Sequence, residues 1–99
     1  MCGATSQAHE LPAGTDLSTE TVLVGRVLAG GQPVAGAFVR LLDETGEFTA
    51  EVVASASGNY RFFCAPGTWT VRALSRSGNG SAEVVAAAPG LHEADVAVS

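Results

Sequence analysis

Cys2 and the arginines carry most of the chemistry this sequence offers. A small second residue permits removal of Met1, which leaves Cys2 at the amino terminus. The adjacent ammonium then favours the thiolate, the nucleophilic form of cysteine. A free α-amino group has a pKa of about 8, so thiol and amine both titrate close to neutrality. The surrounding stretch, MCGATSQAHELPAGTDLS, is small and polar, holds Pro12 and Gly14, and has no sustained period. It reads as a flexible arm that presents Cys2, with His9 able to approach if the arm folds back.

Arg26, Arg40, Arg61 and Arg72 form the second candidate group. A guanidinium binds oxyanions and carboxylates through paired hydrogen bonds. Period-two alternation puts each of the four on the outward phase of a different strand. They are read as an anion-binding or partner-binding row. The plainer alternative is a set of exposed ion pairs with neighbouring Glu or Asp, each worth little. Phe38 and Leu42 flank Arg40 on the same phase, and Phe63 is out of phase with Phe62. These three apolar side chains are the candidate protein interface.

The remaining reactive residues are unpromising. His9 and His92 lack ligand spacing, and two cysteines cannot build a structural zinc site or a disulfide framework. Cys64 falls on an inward phase, where a free cysteine behaves as a small hydrophobe. Asp43, Glu44 and Glu47 cluster at a turn and read as a solvated loop. Ser55 and Ser57 lie in no nucleophile motif. With no acid–base constellation and no cofactor motif, the expectation is a protein that is not an enzyme and binds no metal or cofactor.

The elements that position these residues are short β runs divided by turn signals. They span Thr21–Leu28, Ala37–Asp43, Phe48–Ser55, Tyr60–Ala65, Thr68–Ser75, Ser81–Ala87 and Leu91–Val98, with Gly, Pro, Asn and Ser between them. Strands at about ten-residue spacing predict an all-β, seven-stranded sandwich over 20–99, preceded by the arm over 1–19. No stretch reads convincingly as a helix. Alternation turns Leu23, Gly25 and Val27 inward, with Ala37, Val39 and Leu41, with Tyr60, Phe62 and Cys64, with Trp69, Val71 and Ala73, and with Ala94, Val96 and Val98. A glycine inside a strand signals a close neighbour, and Trp69 or Phe62 is expected over Gly25.

Val24-Gly25-Arg26-Val27, Gln32-Pro33-Val34-Ala35-Gly36-Ala37-Phe38-Val39-Arg40-Leu41, Ser57-Gly58-Asn59-Tyr60-Arg61-Phe62 and Pro66-Gly67-Thr68-Trp69-Thr70-Val71 resemble the carboxypeptidase regulatory-like domain. That resemblance covers roughly 20–98 and implies a prealbumin-like Greek-key sandwich. It implies no single function, since the scaffold serves many hosts. A second resemblance spans the whole chain. It rests on Met1-Cys2, Leu11-Pro12-Ala13-Gly14, the run from Gly36 to Asp43, the run from Glu47 to Ser55, and Arg72-Ala73-Leu74-Ser75. These look like a family of small bacterial proteins placed in sulfur metabolism, whose genes accompany a thiosulfate sulfurtransferase. The resemblance implies a sulfurtransferase as protein partner. It also makes Cys2 a candidate sulfur acceptor, able to hold a sulfane sulfur as a persulfide. Cys64 stands where that family is expected to have alanine, so no role is carried over to it.

Composition limits the alternatives. The chain has 99 residues, favouring one domain, and a net charge of −5 with no lysine. That balance argues against nucleic acid and against anionic membranes as partners. Mean hydropathy is +0.26, yet no apolar run approaches a bilayer span. No basic, then apolar, leader is visible, so the expected location is the cytoplasm, where thiols stay reduced. Open strand edges would allow a homodimer. Three readings follow: an accessory binding protein of sulfur metabolism, a sulfur carrier acting through Cys2, and an oligomerising sandwich with no chemistry.

Overall fold

Alternating apolar and polar residues between turn signals give strands with one dry and one wet face, and two such layers close over each other. The computed structural model describes residues 14–99. Cys2 and His9 lie outside the described residues. The strands are β1 (Thr21–Ala29), β2 (Gln32–Pro33), β3 (Phe38–Leu42), β4 (Phe48–Val53), β5 (Asn59–Cys64), β6 (Gly67–Ser75), β7 (Gly78–Ala86), β8 (Gly90–Glu93) and β9 (Val96–Ala97). All seven expected strands occur. The last is split into β8 and β9, and the two-residue β2 falls where a turn was expected.

One sheet is built around β1. It pairs antiparallel with β5 and β2, and parallel with β8 and β9. The other has the order β4-β3-β6-β7, antiparallel throughout. These are called the β1 sheet and the β3 sheet below. Between them lie Leu23, Val27, Val39, Leu41, Tyr60, Phe62, Val71, Ala73, Val96 and Val98, all buried. The inward sets read from period two are therefore largely those that form the core. Tyr60 and Phe62 pack at a ring separation of 5.8 Å, tilted by 52°. Trp69 is only half-buried at the margin of this core, and its indole N–H donates to the Ala65 carbonyl at 2.9 Å.

Two expectations need correction. The neighbour above Gly25 is neither Trp69 nor Phe62: a β-carbon there would meet the Ala94 carbonyl and the Tyr60 ring. The register explains this, since β1 pairs with β5 so that Gly25 lies opposite Tyr60, while Ala94 N–H donates to the Val24 carbonyl at 2.9 Å. The break between β8 and β9 sits at this place. There the Tyr60 hydroxyl donates to the Ala94 carbonyl, and Asp95 Oδ1 accepts from the Arg26 backbone N–H at 3.0 Å. Burial, and then the nearby Asp95 charge, push the Tyr60 phenol far above its ordinary pKa, so it stays a donor.

The second correction concerns Val22 and Val24. Their phase is outward, yet both are fully buried, with Leu17 packed on them. Leu17 is held by a hydrogen-bonded turn. Thr19 and Glu20 N–H donate to the Asp16 carbonyl, and Asp16 Oδ1 accepts from Ser18 N–H and its hydroxyl. The acidic cluster lies at an exposed turn, as expected. Asp43 also shapes that turn: its Oδ1 accepts from Thr45 N–H, the Thr45 hydroxyl and Glu47 N–H.

Those bonds, the Thr45 hydroxyl first, hold the Asp43 carboxyl below its usual pKa. A lowered folded-state value contributes stability above the unfolded pKa of about 4, and that contribution is lost as pH falls through the folded value. Asp43→Asn is therefore expected to lower the melting temperature at neutral pH. Thermal melts followed by circular dichroism should show this deficit shrinking as the buffer is acidified below about pH 4. A deficit independent of pH would mean that charge at Asp43 plays no part.

Candidate functional site

β3 alternates cleanly. Val39 and Leu41 are buried, while Phe38 and Arg40 stand out and Leu42 is half-buried on the same phase. β6 does the same, with Val71 and Ala73 inside and Thr70, Arg72 and Leu74 outside. Because β3 is flanked by β4 and β6, and β6 by β7, the outward residues align in rows across the β3 sheet. The first row is Val53, Phe38, Leu74 and Asn79. The next is Glu51, Arg40, Arg72 and Ser81. Beyond it Leu42 faces Thr70, which faces Glu83.

The first row is apolar from Val53 to Leu74 and most open at its Val53 and Phe38 end. Phe38 is 52% exposed and Val53 61%. A depression of about 520 Å³ runs beside it, lined among others by Val34, Phe38, Leu74 and Arg76. In the second row Arg40 Nε donates to Glu51 Oε2 at 2.8 Å. Both side chains are partly exposed, so this pair adds little stability. Arg72 lies directly opposite Arg40, an unfavourable placement of like charges. Arg72 also lines a smaller depression of about 280 Å³, with Leu42, Thr70, Asn79 and Ser81.

The four arginines do not form one row. Arg40 and Arg72 share the outer face of the β3 sheet, whereas Arg26 and Arg61 belong to the β1 sheet. The outer faces of a sandwich point in opposite directions, so outward phase alone cannot join residues from both layers. The Arg61 guanidinium lies 5.9 Å from the centroid of the Phe63 ring, a cation–π contact. The apolar set divides in the same way. Phe38 and Leu42 stay together, but Phe63, 45% exposed, sits on the β1 sheet. Leu74, Val53 and Arg76 were not singled out from the sequence. Leu74 and Val53 join Phe38 only through the strand register, which no local pattern shows.

Cys64 and His92 take part in packing and local bracing. Cys64 is half-buried against the core and opposite Thr21, and burial pushes its thiol pKa up, away from the reactive thiolate. His92 Nε2 lies 2.8 Å from the Ala88 carbonyl, so it carries the proton and serves as a local brace. Among the described residues no group of three or more His, Cys, Asp or Glu is placed to hold a metal. No helix among them is long and apolar enough to cross a membrane.

A family model described as "Protein of unknown function (DUF1416)" matches residues 2–98. An uncharacterised protein of Mycobacterium tuberculosis is 59% identical over 100 residues, spanning all of both chains. Among solved structures, a DUF3823 family protein from Parabacteroides merdae is similar with a TM-score of 0.64 and 19% identity, over 83% of this chain and 47% of its own. The 5-hydroxyisourate hydrolase of Klebsiella pneumoniae has a TM-score of 0.58 and 18% identity, over 85% of this chain and 90% of its own. Such identities speak for fold alone, and the fold is the expected prealbumin-like, or transthyretin-like, β-sandwich.

Proposed function

The chain belongs to the DUF1416 family of proteins of unknown function, and from that premise we propose that it is an accessory binding protein of sulfur metabolism. It works in the cytoplasm without catalysis of its own, docking on a sulfurtransferase or a related enzyme. The outer face of the β3 sheet is the docking surface. The observation that carries this reading is the row of exposed Val53 and Phe38 with half-buried Leu74, beside Arg40 and Arg72. An aromatic anchor flanked by arginines is the composition of an interface core, since both residue types concentrate binding energy. The tie to sulfur metabolism rests on the whole-chain resemblance.

The test uses purified thiosulfate sulfurtransferase and titration calorimetry. Phe38→Asp is expected to weaken binding at least about tenfold, the usual consequence of losing an interface anchor. Its melting temperature should stay near wild type, because Phe38 is 52% exposed. Cys2→Ser should bind as wild type does. Binding lost with Cys2→Ser and kept with Phe38→Asp would replace docking by a sulfur-carrier role through a Cys2 persulfide. No binding by the wild type would remove this partner.

A further inference from the structure

We propose that Arg72 and Arg40, with the hydroxyls of Ser81 and Thr70, form a binding site for a small tetrahedral oxyanion on the outer face of the β3 sheet. The class is a sulfate-like or phosphate-like dianion. The site shares Arg40 and Arg72 with the docking surface, whose apolar row lies one step along the strands, but anion binding does not require that docking reading to hold.

The register is the first observation. Arg40 and Arg72 face each other on adjacent strands, where like charges repel. Two cations are thus concentrated at one spot of a chain whose net charge is −5. A dianion between them would turn that repulsion into paired attraction. The second observation is the uneven use of donors. Glu51 takes the Nε–H of Arg40. A guanidinium has five N–H donors in a planar fork, so that contact leaves its terminal nitrogens available. Among the described residues no ion pair or hydrogen bond engages the Arg72 side chain.

The third observation is the shape beside Arg72. The 280 Å³ depression is lined by Thr70, Ser81 and Asn79, residues that carry hydroxyl and amide groups, together with Leu42. Ser81 is directly across from Arg72, and Thr70 is on its own strand and face. A fork beside two hydroxyls matches an anion with oxygens in several directions. The carboxylates near the site are Glu51 on β4 and Glu83 on β7, the latter opposite Thr70 and diagonal to Arg72. Glu83 opposes an incoming anion, which gives a second handle on the site.

The experiment is amide NMR on the full chain, titrated separately with sulfate, phosphate and thiosulfate while sodium chloride holds ionic strength constant. Saturable shifts are expected at residues 70–72 and 79–83, with half-saturation in the millimolar range. Arg72→Gln should abolish saturation with a well-dispersed spectrum, and Arg26→Gln should leave it unchanged. Glu83→Gln should tighten binding about threefold, the scale of one exposed charge pair. Phe38→Asp should still bind the anion even when partner binding is gone. Shifts that never saturate, or that persist in Arg72→Gln, would overturn the site. So would shifts spread equally over the surroundings of Arg26 and Arg61, since that pattern is ionic screening. Saturation by all three anions fixes the site as a general oxyanion cradle, and a preference among them names its ligand.

Discussion

Gly25→Ala should destabilise the protein by about 3 kcal/mol or more, near the upper end of what one methyl group can do. A β-carbon at Gly25 would stand 1.9 Å from the Ala94 carbonyl oxygen, 2.7 Å from its carbon and 2.8 Å from Tyr60 Cε2. Two of those atoms are backbone, so no rotamer change relieves the contact. Moving Ala94 breaks the bond it accepts from the Tyr60 hydroxyl and the one its N–H donates to Val24. It also drags Asp95 away from the Arg26 N–H. A domain of this size holds only about 5–15 kcal/mol in total, so the melting temperature should fall by about 15 °C or more. Urea unfolding should show a lower midpoint with an unchanged slope, because the same surface is exposed. Gly46→Ala is the control. Its φ of +87° strains an alanine, but open space surrounds it. It should cost only about 1 kcal/mol, the conformational part alone. Equal losses at the two positions would mean that the close approach at Gly25 does not govern stability.

Gly25 also shows where a sequence stops being informative. That a glycine inside a β-branched strand marks a close neighbour is legible in Thr21–Ala29. Which neighbour it meets is not, because Ala94 arrives through a parallel pairing from the far end of the chain. The strands themselves were legible, since turn residues recur between them and alternation separates dry from wet positions. Val22 and Val24 misled because alternation knows nothing of a third layer, and Leu17 supplies one. The candidate site was half legible for a related reason. Phase places Arg40, Arg72 and Phe38 on outer faces. Only register puts Arg40 opposite Arg72 and Phe38 opposite Leu74, and only layer assignment removes Arg26, Arg61 and Phe63 from the group.

Gly80→Ala tests how the sandwich closes at its other margin. A β-carbon at Gly80 would lie 1.9 Å from the Ala97 carbonyl oxygen, and one at Gly78 would lie 2.3 Å from the carbonyl carbon of Ser99. The chain end therefore runs flush against the start of β7, and Ser99 N–H donates to the Asn79 carbonyl at 3.2 Å. The same segment pairs with β1 through Val96 and Ala97, so it bridges both sheets. Unlike Ala94, it can escape by peeling away, because Ser99 is tied to β7 through its N–H to the Asn79 carbonyl, a bond that peeling simply releases. Peeling removes Val98, 3% exposed, from the core and costs about 2 kcal/mol for that side chain. It also uncovers the start of β7, an edge strand, and an uncovered edge invites pairing between molecules. Gly80→Ala should therefore lower the urea midpoint and speed amide exchange at 96–98, while light scattering on warming should exceed that of wild type. Deleting Val98 and Ser99 should reproduce most of these effects. Combining the deletion with Gly80→Ala should add much less than the sum, because both act by releasing the same segment. Full additivity, or unchanged exchange at 96–98 in Gly80→Ala, would show that the chain end does not hold the two layers together.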